Sequence, residues 1–310
     1  MGTTVLTVGE ALISLTPIGG SSLQDAERLY VSDAGAELNV AVHLARLGVP
    51  TRLASSVGDD PMGRRLRASL GRAGVDTTFL EPDPVRHTAV YLKDPHAPTA
   101  AVYYYRAGSA ASAYREVPAA AWADVGHVHL SGITPALSAD CRELVDSLLS
   151  QREVPTSFDV NYRPALWPPE QAAPVLRELA NHASIVFVGL DEAASVWGTT
   201  THEDVRRLLP APAELVVKDG ARDAVAFVGR DVYQEAARKV EVVEPVGAGD
   251  GFAAGYLAAR LRGRGPQVAL RWGHAVAVSV VQGLGDHGTG ISSDELELID
   301  DDDRLHNASR

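Results

Sequence analysis

Short apolar runs alternate with helical patterns along most of the chain. The runs are bounded by glycine, proline or polar residues, which is typical of buried strands, and the predicted strands are 5–9, 51–57, 127–130, 155–160, 184–188, 214–218 and 224–228. The helical patterns lie at 34–47, 61–73, 139–149, 170–181, 191–197, 203–209, 252–261 and 266–282. This alternation predicts a central, mostly parallel sheet flanked by helices on both faces.

Two segments interrupt this rhythm. Residues 12–33 alternate without a clear helical pattern, and residues 85–105 are rich in β-branched and aromatic side chains around a proline-containing turn at 94–98. These are features of strands and hairpins. We therefore predict one α/β domain spanning 1–310, with a small β-sheet lid inserted in two pieces at about 12–33 and 85–110.

The stretch 244–255, E-P-V-G-A-G-D-G-F-A-A-G, is the most informative part of the chain. It follows the apolar run 240–243, so we interpret it as a turn from a strand into a helix. The small residues Gly247, Ala248 and Gly249 let the backbone turn sharply and approach a ligand closely. Amides at the start of a helix favour an anion, so we predict a phosphate site here.

Asp250 is unexpected beside an anion site, because its carboxylate would repel the anion. A carboxylate in this position has a role if it accepts the proton of a hydroxyl that attacks a phosphoryl group. Phe252 stands where a Rossmann fingerprint requires glycine, and the G-K-[ST] of a Walker A loop is absent. An ordinary glycine-rich turn capped by Asp250 is the remaining alternative.

Polar residues that follow predicted strands are the next candidates, since ligands of open α/β sheets bind at the carboxyl ends of strands. Asn161 and Arg163 follow one such strand and point the same way in an extended segment. Arg106 follows a lid strand. Two arginines that converge from lid and floor indicate a carboxylate or phosphate ligand, whereas solvated loop residues and a surface salt bridge are the alternatives.

Three other features are ambiguous on their own. Alternation places Tyr104 on one face of its strand, either in the lid core or over a small polyol. Lys218 follows a predicted strand and either reaches a nucleotide phosphate or is solvated. Glu192, near a helix start, either caps the helix or helps to hold Mg²⁺ through water.

Composition limits the function further. The net charge of −12 argues against a nucleic-acid binder, and 45% hydrophobic residues allow a sizeable core. The single cysteine, Cys141, allows no disulfide, and no apolar run approaches membrane-spanning length. The chain contains neither H-E-x-x-H nor G-x-S-x-G, which argues against zinc and serine hydrolases. We expect a soluble cytoplasmic protein with a solvated acidic tail at 300–303.

Taken together, these features resemble the ribokinase-like (PfkB) carbohydrate kinases along nearly the whole chain. Residues 246–255 resemble the family's C-terminal signature, and 34–41 resemble its N-terminal substrate signature. A finer resemblance is to the 2-keto-3-deoxygluconate kinases, and it rests on Y-Y-R-A-G-S-A (104–110), L-S-G-I-T (130–134), D-V-N-Y-R (159–163) with L-W (166–167), and G-D-H (285–287).

The resemblance implies a ribokinase-like fold, ATP as co-substrate, Mg²⁺, and phosphorylation of a terminal sugar hydroxyl. Asp250 would be the base, and the amides of Gly247, Ala248 and Gly249 would stabilise the transferring phosphoryl group. The implied sugar-acid residues are Gly35, Asn39, Tyr91, Tyr104, Arg106, Arg163, Asp250 and Asp286. The implied nucleotide residues are Asn161, Gly189, Lys218, Asp219, Gly220, His274 and the 247–249 turn.

Four positions depart from the family pattern. Glu244 replaces the usual Asp and bears on a monovalent-cation site, so K⁺ is a further candidate ion. Ala34 replaces a common glycine. Gly189 and His274 replace residues that usually contact phosphate and flank adenine, which concerns nucleotide affinity more than the reaction.

The predicted function is thus a Mg²⁺- and ATP-dependent kinase of a sugar acid, 2-keto-3-deoxygluconate before others. A kinase of fructose or another neutral sugar with the same fold is the first alternative. A non-catalytic sugar- or nucleotide-binding regulator is the second. Because the small sheet has edges that need cover, we expect a homodimer formed lid to lid.

Overall fold

The computed structural model describes residues 3–19, 21–94, 101–151 and 153–299. Most of the turn predicted at 94–98 and the acidic tail predicted at 300–303 lie outside these residues. The thirteen strands are β1 (Thr4–Val8), β2 (Leu12–Pro17), β3 (Leu29–Ala34), β4 (Thr51–Gly58), β5 (Leu80–Asp83), β6 (Ala89–Asp94), β7 (Ala101–Tyr105), β8 (Val125–Ser131), β9 (Thr156–Asp159), β10 (Ile185–Gly189), β11 (Glu214–Asp219), β12 (Asp223–Val228) and β13 (Asp231–Ala236) within the described ranges.

Eight α-helices complete the described part of the chain. They are α1 (Ala36–Arg46), α2 (Pro61–Arg72), α3 (Ala139–Ser150), α4 (Pro169–His182), α5 (Leu190–Trp197), α6 (His202–Leu208), α7 (Ala248–Leu261) and α8 (Pro266–Val281). Across the described ranges, no helix combines the length and apolar character needed to span a membrane.

The main sheet has nine strands in the order β13-β12-β11-β10-β9-β8-β1-β4-β5. Seven neighbouring strands of this sheet pair in parallel, namely β11, β10, β9, β8, β1, β4 and β5. Strands β12 and β13 are added antiparallel at one edge. Adjacent residues of β10 face opposite sides: Val186 packs towards α3 to α6, and Phe187 packs towards α1, α7 and α8. The predicted mostly parallel sheet with helices on both faces is therefore confirmed.

A second, four-stranded sheet has the order β3-β2-β6-β7. It is built from two separate pieces of chain, because β2 and β3 precede α1 whereas β6 and β7 follow β5. The two pieces meet where β2 pairs in parallel with β6, for example Ile13 beside Val90. The predicted small sheet is confirmed, and it covers the carboxyl ends of several strands of the main sheet.

Two strands of the main sheet were not predicted from the sequence, and one predicted strand is absent from the described residues. Both missed strands, β5 and β13, are edges of the main sheet, where strands are short and polar and give a weak hydrophobic pattern. The run at 240–243, expected to be a strand, has no regular structure, and Val242 and Val243 are exposed. The glycine-rich turn therefore connects a loop, not a strand, to α7.

Candidate active site

A cleft of about 360 Å³ lies between the main sheet and the small sheet. Asn161 and Arg163, which follow β9, contribute to its floor, and Lys218 of β11 lies beside them. Tyr91 of β6 and Tyr104 of β7 line it from the small sheet. The cleft is therefore at the carboxyl ends of parallel strands, where the sequence analysis placed it.

The start of α7 forms one wall of the cleft. Gly247 is the N-terminal cap of this helix and has φ +84°, a conformation that favours glycine. A Cβ at Gly247 would also collide with the backbone carbonyl of Asp286. The Ala248 amide donates to the Pro245 carbonyl at 3.3 Å, so it is paired within the turn. Gly247 and Gly249 line the cleft, whereas Ala248 does not.

Asp250 lies in the first turn of α7 and is almost completely buried. Asn39 donates to its Oδ2 at 2.8 Å, and Asn161 donates to its Oδ1 at 3.1 Å. Burial raises the pKa of Asp250 to about 7, although the hydrogen bond from Asn39 opposes this shift. A carboxylate with this pKa accepts protons efficiently near neutral pH.

Asn161 reaches Asp250 because the chain takes an unusual conformation after β9. Its φ is +42°, a left-handed value that asparagine tolerates better than most residues. The turn is held by a hydrogen bond from the Asn161 amide to Oδ1 of Asp159 at 3.2 Å. Asp159 also accepts a hydrogen bond from Lys218 at 2.8 Å. Asp159 therefore helps to orient both the neutral Asn161 and the cationic Lys218.

Both arginines singled out in the sequence line the cleft. Arg106 lies over the ring of Tyr104, with the guanidinium carbon 4.2 Å from the ring centre, and its Nη2 is 3.1 Å from Oε2 of Glu10. Arg163 donates to Glu192 at 3.1 Å and to its neighbour's carbonyl at 3.0 Å. Each guanidinium therefore has a fixed orientation and faces a shared space.

Asp286 also lines the cleft and is buried. The hydroxyl of Tyr91 lies 3.0 Å from both of its carboxylate oxygens, and Lys93 donates to Oδ1 at 2.8 Å. Lys93 also forms a very short ion pair with Glu244. The carboxylate of Asp286 is thus bound on several sides by donors from the small sheet.

Glu192 belongs to a cluster of mixed charge on the floor of the cleft. Its Oε2 accepts from the Gly189 amide at 3.3 Å, and burial together with the nearby Asp159 raises its pKa. Two neighbouring carboxylates match the preference of Mg²⁺ for oxygen ligands, often through water. Since Lys218 and Arg163 already neutralise them, a cation held through water fits better than one bound directly.

The cleft gathers most of the predicted site residues. It is lined by Gly35, Asn39, Tyr91, Tyr104, Arg106, Asn161, Arg163, Glu192, Lys218, Gly247, Gly249, Asp250 and Asp286. Gly35 caps α1 with φ +140°, and a side chain there would meet the Glu10 carbonyl. Glycine at this position lets the start of α1 lie directly against the chain that follows β1.

Other predicted nucleotide residues lie outside this cleft. Gly189 caps α5, and Asp219 with Gly220 forms the turn between β11 and β12. His274 lies within α8, where its Nε2 donates to the Glu235 carbonyl at 3.1 Å. Their assignment to ATP stays a prediction.

Glu10 and Lys93 line the cleft but were not anticipated as site residues. Glu10 follows the buried strand β1 closely, and this was a usable signal, because ligands of open α/β sheets bind at the carboxyl ends of strands. Lys93 gave little signal, since a lysine near a hairpin turn is usually solvated.

An α/β fold with a buried carboxylate in the first turn of a helix that lines a cleft is a combination typical of small-molecule phosphotransferases. The sequence matches the pfkB family carbohydrate kinases over residues 3–293, and the chain belongs to this family. The resemblance inferred from the sequence is therefore confirmed.

Individual relatives agree with this placement. The chain is 33% identical over 298 residues to the 2-dehydro-3-deoxygluconokinase of Bacillus subtilis, covering 91% of this chain and 90% of that protein. It is 31% identical over 307 residues to the 2-dehydro-3-deoxygalactonokinase of Haloferax volcanii, covering 95% and 96%. A crystal structure of a PfkB protein from Polaromonas superposes with a TM-score of 0.83 at 34% identity, covering 92% of this chain and 98% of that one.

Proposed function

We propose that the protein transfers the γ-phosphoryl group of ATP to the terminal hydroxyl of 2-keto-3-deoxygluconate, forming its 6-phosphate. Family membership supports ATP-dependent sugar phosphorylation as the general reaction. The observation that carries the choice of substrate is the presence of two oriented arginines, Arg106 and Arg163, in the cleft that holds Asp250.

A sugar acid explains these arginines better than a neutral sugar does. The Nε and Nη1 atoms of Arg106 are buried and have no hydrogen-bond partner among the described residues. Buried guanidinium donors are costly unless they are paired, and a carboxylate pairs with two of them at once. Neutral sugars offer only hydroxyls, which pair with such donors one at a time and add no negative charge to that of Glu10.

The proposed chemistry is a single in-line transfer. Asp250 accepts the proton of O6 as O6 forms its bond to the γ-phosphorus, and the bond from that phosphorus to the bridging oxygen breaks to release ADP. Asn39 and Asn161 hold the two carboxylate oxygens of Asp250, so the base keeps one orientation. Positioning and charge stabilisation supply most of the rate in such reactions.

Charge that develops on the phosphoryl group is met by the start of α7 and by Lys218. A Cβ at Gly249 would lie 3.3 Å from the Lys218 ammonium, so the turn and this cation are neighbours. Mg²⁺ bound with ATP would neutralise phosphate oxygens, and Glu192 and Asp159 are the residues that would hold it through water.

The nearest alternative is a kinase of fructose or another neutral sugar, and the next is a regulator that binds ligands without turnover. The named relatives also differ between the gluco and galacto epimers of the sugar acid. The retained Asp250, held by two asparagines, favours an enzyme over a regulator.

Release of ADP with Mg²⁺-ATP, measured on a panel of both epimers, fructose, ribose and adenosine, tests the proposal. Turnover confined to the keto-deoxy acids, with phosphate at O6 by NMR, is the expected result. Turnover only with a neutral sugar would refute the carboxylate argument while leaving the reaction class intact. No turnover of any compound would favour the regulator.

We also propose a homodimer formed through the small sheet. Tyr104 faces the cleft, whereas Tyr103 and Tyr105, on the other face of the edge strand β7, are 48% and 63% exposed. Exposed aromatic side chains beside an open edge are typical of an interface. Analytical ultracentrifugation should show a dimer, and Tyr105→Lys should shift it towards monomer.

A further inference from the structure

Lys93 is a buried lysine of the small sheet whose ammonium lies between two acids from distant parts of the chain. It is only 6% exposed, donates to Asp286 at 2.8 Å, and forms a very short ion pair with Glu244. Burial lowers the pKa of Lys93, but Asp286 and Glu244 outweigh this effect and raise it. The two acids therefore favour the charged form of the ammonium.

The two acids are fully paired around this ammonium. Tyr91 lies 3.0 Å from both oxygens of Asp286, and Asn39 approaches Oδ2 at 3.4 Å. One oxygen of Glu244 contacts Lys93, and the other accepts from the Gly285 amide at 2.8 Å. Each of the four carboxylate oxygens thus has a donor among the described residues, and the Lys93 ammonium occupies the space between the two acids.

This arrangement joins three parts of the site. Lys93 belongs to β6, Glu244 precedes the turn at Gly247, and Asp286 follows α8. The backbone carbonyl of Asp286 is also the atom that a side chain at Gly247 would strike. The Lys93 ammonium therefore links the small sheet to the segment before the Gly247 turn and to the Asp286 segment.

We infer that Lys93 is a positioning residue that supplies, as part of the chain, the positive charge required between Glu244 and Asp286, so that the protein needs no monovalent cation there. The family resemblance makes Glu244 a candidate residue of a monovalent-cation site. The side chains of Glu244 and Asp286 are 12% and 4% exposed and share one ammonium, so removing that cation would leave their negative charge uncompensated. An ammonium group can fill that role permanently, and K⁺ would have to displace it.

The first test uses the unmodified protein in chlorides of K⁺, Na⁺ and tetramethylammonium at one ionic strength. The expected result is the same melting temperature and the same kcat/KM in all three salts. A protein that is inactive or clearly less stable without K⁺ would overturn the inference. The comparison of kcat/KM rests on the proposed function, whereas the comparison of melting temperatures does not.

The second test replaces the built-in cation. Lys93→Ala opens space for an ion, and in tetramethylammonium its kcat/KM should fall by about 100-fold, the cost of a reacting group displaced by about 1 Å. K⁺ or NH₄⁺ should restore part of this loss and raise the melting temperature. Exposed Lys239→Ala is the matched control and should respond to none of the salts.

Two further variants test the role of the Lys93 charge if Lys93→Ala folds poorly. Lys93→Met keeps the aliphatic stem without the charge, and Lys93→Arg keeps the charge with a larger head. Activity of Lys93→Met equal to the unmodified protein in every salt would refute the positioning role. Absence of turnover by the unmodified protein in all salts would refute the proposed function instead. The melting temperatures would then test by themselves whether the protein needs K⁺.

Discussion

Asn39 donates its side-chain amide to Oδ2 of Asp250 at 2.8 Å, although 211 residues separate the two positions. The other end of the amide accepts from Nε2 of His287 at 2.9 Å, which fixes which way the group points. Burial lowers the pKa of His287 to about 3, so this imidazole is neutral and donates one proton. The orientation of the proposed base is therefore set by a chain of hydrogen bonds from α1, α7 and the segment after α8.

Asp250→Asn should preserve the fold and remove most turnover. The substitution keeps the shape of the side chain but cannot accept the hydroxyl proton, and general-base contributions are typically ~10²–10⁴-fold. Single-turnover kinetics with Mg²⁺-ATP would measure the loss, and the melting temperature would show that the fold is intact. Turnover within a few-fold of the unmodified enzyme would remove Asp250 from the mechanism.

Arg106→Ala and Arg163→Ala should raise KM for a sugar acid more than for a neutral sugar. Hydrogen bonds to charged groups are worth about 1.5–3 kcal/mol, which corresponds to roughly 10- to 100-fold in KM. The well-exposed Arg222 provides a matched control, since Arg222→Ala removes a guanidinium from a surface ion pair. Equal effects on acidic and neutral substrates would contradict the carboxylate argument.

The pH profile should show a rising limb near neutrality. Because the pKa of Asp250 is raised to about 7, the base becomes protonated below that pH, and kcat/KM for the sugar should fall about tenfold per pH unit there. Measurement between pH 5 and 9 with a saturating nucleotide would locate this limb. A flat profile across that range would be incompatible with Asp250 as the titrating base.

Glu10→Gln should make the stability of the folded protein depend less on pH. Burial raises the pKa of Glu10 to about 7, with Arg106 opposing and Glu37 adding to the shift, so the folded state holds the proton more tightly than the unfolded state. Its contribution to stability is complete below about pH 4.5 and is lost as the pH rises to about 7, a change of roughly 3 kcal/mol.

The melting temperature of Glu10→Gln relative to the unmodified protein should therefore increase between pH 4.5 and pH 7. Calorimetry at several pH values measures this difference. A difference that stays constant with pH would show that Glu10 does not titrate in this range.

Gly247→Ala should lower both stability and activity more than Gly198→Ala does. Both glycines have left-handed φ values, +84° and +71°, and alanine costs about 1–2 kcal/mol in that conformation. Only at Gly247 would the added Cβ also strike the Asp286 carbonyl, whereas at Gly198 it meets open space. Equal losses of stability in the two variants would mean that the close approach to Asp286 is not important.

The sequence located the parts of the site that lie next to strong local signals. Asp250 was found from the glycine-rich turn, and Arg163 from its place after a buried strand. Lys93 could not be assigned in the same way, because its significance depends on which acids lie opposite it in space, whereas Glu10 follows a buried strand as Arg163 does and could have been found by the same rule. Strand β13 was missed for a related reason, since an edge strand with a polar sequence has no apolar alternation to detect.

The two-piece construction of the small sheet restricts how substrate preference can evolve in this protein. Neither piece forms the sheet alone, because the pairing of Ile13 with Val90 joins strands that lie on opposite sides of α1, β4 and α2 in the chain. Recombination that exchanged only one piece would combine pieces from two different ancestors. Their side chains would not be matched where β2 pairs with β6. New specificities are therefore expected to arise by point substitution within the sheet, or by inheritance of both pieces together, and not by shuffling of a single segment.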